Sequence, residues 1–123
     1  MEYSGYSIYK GKTTSEIIKE DSQYVYNYIT TKLGFKQQNV IVMGRSIGTG
    51  IALELMQKIQ PGALVLISPF ASVKSLAREF IGFLGQLFAK ETYDSQHNIK
   101  TVTCPTFFLH GRKDDVISVE NST

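Results

Sequence analysis

Residues 39–50 read Asn39-Val40-Ile41-Val42-Met43-Gly44-Arg45-Ser46-Ile47-Gly48-Thr49-Gly50. Val40 to Met43 is a short run of apolar, mostly β-branched residues with no polar alternation, the pattern of a strand buried on both faces of a parallel sheet. It runs directly into Gly44-Arg45-Ser46-Ile47-Gly48, a G-x-S-x-G sequence. Ile47, Ile51, Leu55 and Ile59 then recur every four residues, which predicts a helix. A serine between flanking glycines, at a turn from strand to helix, is the context in which this motif carries chemistry. The glycines let strand and helix close around a strained residue. The hydroxyl is then lifted above the sheet end, beside the first free N–H groups of the helix. That arrangement suits a nucleophile whose reaction creates an oxyanion.

Two nucleotide-binding alternatives fail on spacing. Gly48-Thr49-Gly50 begins like a dinucleotide fingerprint, but no third glycine follows at the required distance, and the next strand ends in Ser68-Pro69 rather than in an acid for a ribose. The Gly-Lys-Ser/Thr triplet of a P-loop does not occur.

Outward from this stretch, the predicted elements alternate. Residues 1–13 read as a loop. Thr14 or Ser15 caps a helix to about Leu33, with Ile17, Ile18, Tyr24, Val25, Tyr28 and Ile29 as its apolar face and Gly34 as its stop. After the helix that ends near Ile59, Pro61-Gly62 is a turn, Ala63–Ile67 a second apolar strand, and Ser68-Pro69-Phe70 its end. Ser72–Ala89 reads as helix and Glu91–Lys100 as a polar connection. Thr106–His110 is a third strand, with Gly111-Arg112-Lys113-Asp114-Asp115 as the loop beyond it. Helices alternating with continuous apolar strands predict an α/β fold: a parallel sheet with helices on both faces. In such sheets the working residues gather at the carboxyl ends of the strands.

The chain has 123 residues, the length of one domain or part of one. A formal net charge of +2, with no basic stripe, gives no reason to expect a nucleic acid partner. The single cysteine, Cys104, excludes an internal disulfide framework, fits a reducing compartment, and reads as a small buried hydrophobe. Met1-Glu2-Tyr3-Ser4 has neither the basic nor the apolar part of a leader. Phe80–Ala89 is too short to span a bilayer. Two separated histidines and one cysteine offer no metal cluster, and acyl transfer by serine needs no cofactor.

A serine nucleophile needs a base, and the base needs an acid to fix its tautomer and stabilise its charged form. Asp114 is placed to be that acid, just past a strand and two strands beyond Ser46; Asp115 beside it is the alternative. In the order Ser, Asp, His the base follows the acid, yet none of the residues after Asp114 is a histidine. Of the two histidines present, His110 is expected to shape the turn at its strand end and His97 to lie on the surface.

Taken together, these segments resemble the α/β-hydrolase superfamily, and most of all its intracellular serine hydrolase branch that contains protein depalmitoylases. Tyr3-Ser4-Gly5-Tyr6 is similar to a Tyr-x-Gly-Tyr-Gly segment of that branch, with Ser7 in place of the final glycine. Asn39–Thr49 resembles its nucleophile elbow, Leu66–Phe70 the strand that follows, and Cys104–Ile117 its acid-bearing segment. The resemblance implies Ser46 as nucleophile, Asp114 as acid and the amide of Ile47 as one oxyanion donor. It also implies that residues 1–123 form a single partial α/β-hydrolase domain, without the first strands, the second oxyanion donor, or the terminal region that carries the histidine. The implied function is hydrolysis of a carboxylic ester or thioester, including a palmitoyl-protein thioester, through an acyl-serine intermediate. The implied partner is a small-molecule or acylated-protein substrate. The implied location is the cytoplasm, at the membrane surface if the full-length protein associates peripherally. This stretch alone is expected to turn over esters poorly. The alternative is a catalytically degenerate relative that serves as an interaction module.

Overall fold

The computed structural model describes residues 11, 14–70 and 94–122. Helix α1 (Ser15–Asn27) starts at Thr14, whose backbone is extended and whose side-chain oxygen accepts the Ile17 N–H at 3.3 Å. Past Asn27 it widens into a π-helical turn, Tyr28–Lys32. The hydroxyls of Thr30 and Thr31 donate to the carbonyls of Tyr26 and Asn27 there (3.0 and 2.6 Å), so side chains compete for acceptors of the regular ladder. Gly34, with φ +74°, ends the helix in the left-handed conformation that a glycine adopts without strain.

The buried residues of α1 are Ser15, Ile18, Ser22 and Tyr26, whereas Tyr24, Val25 and Tyr28 are exposed. The inward stripe is thus rotated from the face expected from side-chain type. Spacings of three and four select positions 15, 18, 22 and 26, and two small serines let α1 approach its neighbour closely. The Ser22 hydroxyl needs no outside partner, because it donates to the Ile18 carbonyl at 2.7 Å.

Strands β1 (Ile41–Arg45), β2 (Ala63–Ile67) and β3 (Thr106–Leu109) form a parallel sheet in the order β1-β2-β3. Helix α2 (Ile47–Met56) follows β1 without an intervening loop, and the short helix α3 (Ser95–Asn98) precedes β3. The register pairs Val42 with Leu64 and Gly44 with Leu66, then Leu64 with Thr106 and Leu66 with Phe108. This face meets the core of Tyr26, Ala52, Leu53, Met56, Ile59, Leu64 and Leu66, against which Val42, Ile99 and Cys104 pack. Leu64 and Leu66 are almost wholly withdrawn from solvent. Helix α2 is buried on most of its circumference, including Thr49, Gly50 and Ile51, because α1 and α3 flank it while the sheet lies beneath. Lys19 pairs with Glu54 at 3.4 Å on one flank, and Asn98 donates to Glu54 at 2.9 Å on the other.

The opposite sheet face carries Ile41, Met43, Phe107 and Leu109, all more than half exposed. The helices expected on this second face are not among the described residues. The helix expected over Ser72–Ala89 also lies outside them.

Within the core, the Tyr26 hydroxyl is buried and has no hydrogen-bond partner among the described residues, and burial pushes its pKa up. Such an unmade bond costs about 1–3 kcal/mol. Tyr26→Phe is therefore expected to raise stability by about 1 kcal/mol in urea unfolding; a comparable loss of stability would reveal a partner for the hydroxyl.

Candidate active site

Ser46 stands between the last residue of β1 and the first of α2, with φ +49° and ψ −121°. These angles lie near those of the second residue of a type II′ turn, a position dominated by glycine. A serine held there stores roughly 1–3 kcal/mol of strain, and such residues concentrate at functional sites. Its backbone is over-determined by its surroundings. The Ser46 N–H donates to the Ile67 carbonyl at 2.9 Å. Its carbonyl accepts both the N–H and the hydroxyl of Thr49, at 2.9 and 2.6 Å. Thr49 has no solvent exposure, so this clamp is sealed beneath the turn. The Ser46 hydroxyl makes no capping bond to the helix, and the residue is half-buried. The Ile47 amide is the first of α2, among those that a helix leaves without an internal acceptor.

Gly44 explains why the turn can be this tight. A Cβ on it would lie 2.4 Å from the Gly48 carbonyl oxygen and 2.8 Å from the Thr49 Cα. Strand end and helix start touch backbone to backbone at that point.

The neighbouring strand ends complete one rim. Arg45, Ile67 and Leu109 are in register across the sheet, so Ser46, Ser68 and His110 emerge side by side. Ser68 also has a positive φ, +46°, and its N–H donates to the Leu109 carbonyl at 2.8 Å. Its hydroxyl donates to Asp114 Oδ2 at 3.0 Å. Asp114 Oδ1 accepts the N–H groups of Ile117 (2.9 Å) and Val116 (3.0 Å). At about 4.8 Å per strand spacing, Ser46 and the β3 rim stand roughly 10 Å apart. Ser46 and Asp114 thus share a rim without bonding to each other.

The N–H groups of Ile117 and Val116, then the Ser68 hydroxyl, hold the Asp114 carboxyl below the usual carboxylate range; nearby His110 acts in the same direction. A carboxyl whose folded pKa is lowered contributes stability above its unfolded value, near pH 4, and loses that contribution as pH falls through the lowered value. The Asp114 carboxyl carbon is accordingly expected to titrate at lower pH than that of an unstructured aspartate, with the 111–117 loop keeping its amide shifts until then. A titration at the ordinary position would contradict the hydrogen bonding described. Asp115, the alternative acid, is exposed.

His110 shapes the loop, as its position at the strand end suggested. Its side chain is only 4% exposed. Nε2 lies 2.7 Å from the Ile117 carbonyl, which can only accept, so Nε2 carries a proton there, and Nδ1 bonds with the Ser122 hydroxyl. Asp114 Oδ2 is 3.7 Å from Nε2, beyond a good hydrogen bond. His97 is exposed on α3, with its N–H on the capping carboxylate of Asp94.

Ser68 is the rim residue that sequence reading left without a role. The Ser68-Pro69 strand end was visible, but the residue before a proline is ordinarily extended with negative φ. Its positive φ follows from the sheet register and the Asp114 loop, neither of which is local. Tyr3-Ser4-Gly5-Tyr6 and the apolar residues of the 76–88 segment lie outside the described residues. No helix among the described residues is long and apolar enough to cross a membrane.

Comparison with known proteins places the chain among hydrolases. The family model described as serine hydrolase (FSH1) matches residues 4–123. The alpha/beta hydrolase domain-containing protein 17B of Homo sapiens is 28% identical over 116 residues, which cover 94% of this chain and 39% of that protein. The 17C proteins of Xenopus tropicalis and Mus musculus are each 28% identical over 116 residues, again 94% of this chain and 36% and 35% of theirs. The chain thus spans less than two-fifths of the length of these relatives. No solved structure matches it. A strained serine between a parallel strand and a buried helix, an acid on the same rim and a family match over nearly the whole sequence lead to one assignment: the chain belongs to the serine hydrolase (FSH1) family, within the α/β-hydrolase superfamily.

Proposed function

We propose that the full-length protein hydrolyses a carboxylic ester or thioester through an acyl-serine intermediate on Ser46. The backbone of Ser46, held at φ +49° with its hydroxyl uncommitted to the helix, carries this reading. Ser46 Oγ attacks the acyl carbon and its proton passes to a base. The carbonyl oxygen becomes an oxyanion, received in part by the Ile47 N–H at the positive end of α2. Collapse expels the alcohol or thiol, which takes the proton from the base, and water then releases the acid by the same steps in reverse roles. Asp114 orients the base and stabilises its charged form. With His110 committed to Ile117 and Ser122, and His97 exposed on α3, we assign the base to a histidine beyond these residues. The likeness to the depalmitoylase-containing branch supports a long-chain thioester on an acylated protein as substrate, and peripheral association with the membrane that carries it.

A fluorophosphonate probe tests the reading. It is expected to label the full-length protein on Ser46 and to leave the Ser46→Ala variant unlabelled, because only an activated serine reacts. A folded full-length protein that takes no label would instead favour the non-catalytic interaction module, in which the rim is retained without its base.

A further inference from the structure

We infer that Ser68 is a positioning residue for the catalytic acid: its hydroxyl fixes the Asp114 carboxylate so that one remaining acceptor direction on Oδ2 faces the base. The inference rests on the hydrolase reading and adds to it a residue with no assigned role.

The argument begins with acceptor counting. An ionised carboxylate only accepts, at roughly four lone-pair positions. Two are filled on Oδ1 by the N–H groups of Val116 and Ile117, and a third on Oδ2 by the Ser68 hydroxyl at 3.0 Å. The two amides alone would anchor the carboxylate from within its own loop. That loop is joined to the rim of β2, and so to the strand next to Ser46, through Ser68 Oγ. Ser68 N–H is bonded to Leu109 and Ser46 N–H to Ile67, so a continuous run of hydrogen bonds passes from the nucleophile's strand to the acid.

The backbone of Ser68 is the second, independent observation. A positive φ is costly for any residue with a Cβ, and Pro69 makes an extended conformation with negative φ the ordinary choice. Glycine takes a positive φ freely. A serine there, with its single O–H aimed at the acid, keeps the strain and gains the hydroxyl. The burial of Pro69 and Phe70 immediately after it holds the turn in place.

Ser68→Gly removes the hydroxyl together with its Cβ and relieves the backbone, so any loss of activity in it comes from the missing hydroxyl and not from added strain. In the full-length protein, with a p-nitrophenyl ester as substrate, Ser68→Gly is expected to lower kcat on the order of ten-fold, the worth of one charge-assisted hydrogen bond, with KM unchanged. The Asp114 carboxyl carbon is expected to titrate at higher pH in the same variant, a shift that needs no turnover to observe. A wild-type kcat, or a lowered kcat with an unmoved Asp114 titration, overturns the inference; the second result would make Ser68 merely structural. Wild-type protein unlabelled by the fluorophosphonate at Ser46 defeats the hydrolase reading itself, and the role of Ser68 falls with it. Labelled wild type with an unaffected Ser68→Gly defeats the positioning role alone.

Discussion

Gly44→Ala is expected to destabilise the protein by about 3 kcal/mol or more, beyond the usual ~1–3 kcal/mol of an overpacked site. The added methyl would meet three backbone atoms at once, the Gly48 carbonyl oxygen at 2.4 Å, its carbon at 2.7 Å and the Thr49 Cα at 2.8 Å. A clash with a flexible side chain is relieved by rotation, but here strand β1 and the start of α2 must separate. That movement breaks the clamp of Thr49 on the Ser46 carbonyl and draws α2 away from Leu64 and Leu66. With total stabilities of roughly 5–15 kcal/mol, the loss is a large fraction of what holds such a domain together. In urea it corresponds to a midpoint lowered by about 1–3 M. Gly111→Ala is the control, since its nearest neighbour would be the Asp114 Cβ at 3.8 Å, an ordinary contact. A Gly44→Ala midpoint no lower than that of Gly111→Ala would show that the turn is looser than described.

Exchanges at Ser46 are expected to separate stability from reactivity. Ser46→Gly releases the roughly 1–3 kcal/mol stored at φ +49°. Glycine also gives the unfolded chain more freedom, at about 0.5–1 kcal/mol. The net gain is about 1 kcal/mol. Ser46→Ala keeps the Cβ and the strain, and its stability is expected to stay within ~0.5 kcal/mol of wild type. Both variants lose fluorophosphonate labelling entirely, because the oxygen is gone. The comparison is direct: Ser46→Gly should unfold at higher urea than Ser46→Ala. The reverse order would mean that the backbone at this position is not strained, and would remove the structural ground for treating Ser46 as a nucleophile.

The elements set by local signals were legible. The strand Ala63–Ile67 coincides with its expected limits, because Pro61-Gly62 before it and Ser68-Pro69 after it interrupt the apolar run sharply. Strand β1 begins one residue later than expected and extends through Gly44 and Arg45, since parallel pairing with β2 carries the ladder up to the turn. Helix α2 ends at Met56 rather than near Ile59. Ile59 is nonetheless buried in the core, so the apolar spacing reported packing beyond the helical backbone. The face of α1 was misread because apolar residues outnumber the positions turned inward: Tyr24, Val25 and Tyr28 are exposed while Ser15 and Ser22 are buried. Of the candidate site, Ser46 and Asp114 are expected at strand ends from the sequence, and the structure puts both on one rim. The bonds that hold Asp114 could not, since Ser68 lies 46 positions away and meets it only through the β2–β3 register.

Side-by-side placement of β1, β2 and β3 in the order they occur in the chain has a consequence for biosynthesis. A ribosome delivers domains from the N-terminal end, and among the described strands none made later must be inserted between two made earlier. The emerging polypeptide can lay each strand against the edge left by its predecessor, with the backbone of Ser46 meeting Ile67 before Asp114 has left the exit tunnel. The bend at Ser46 is thereby set early in synthesis, and segments made later dock onto a rim already in place.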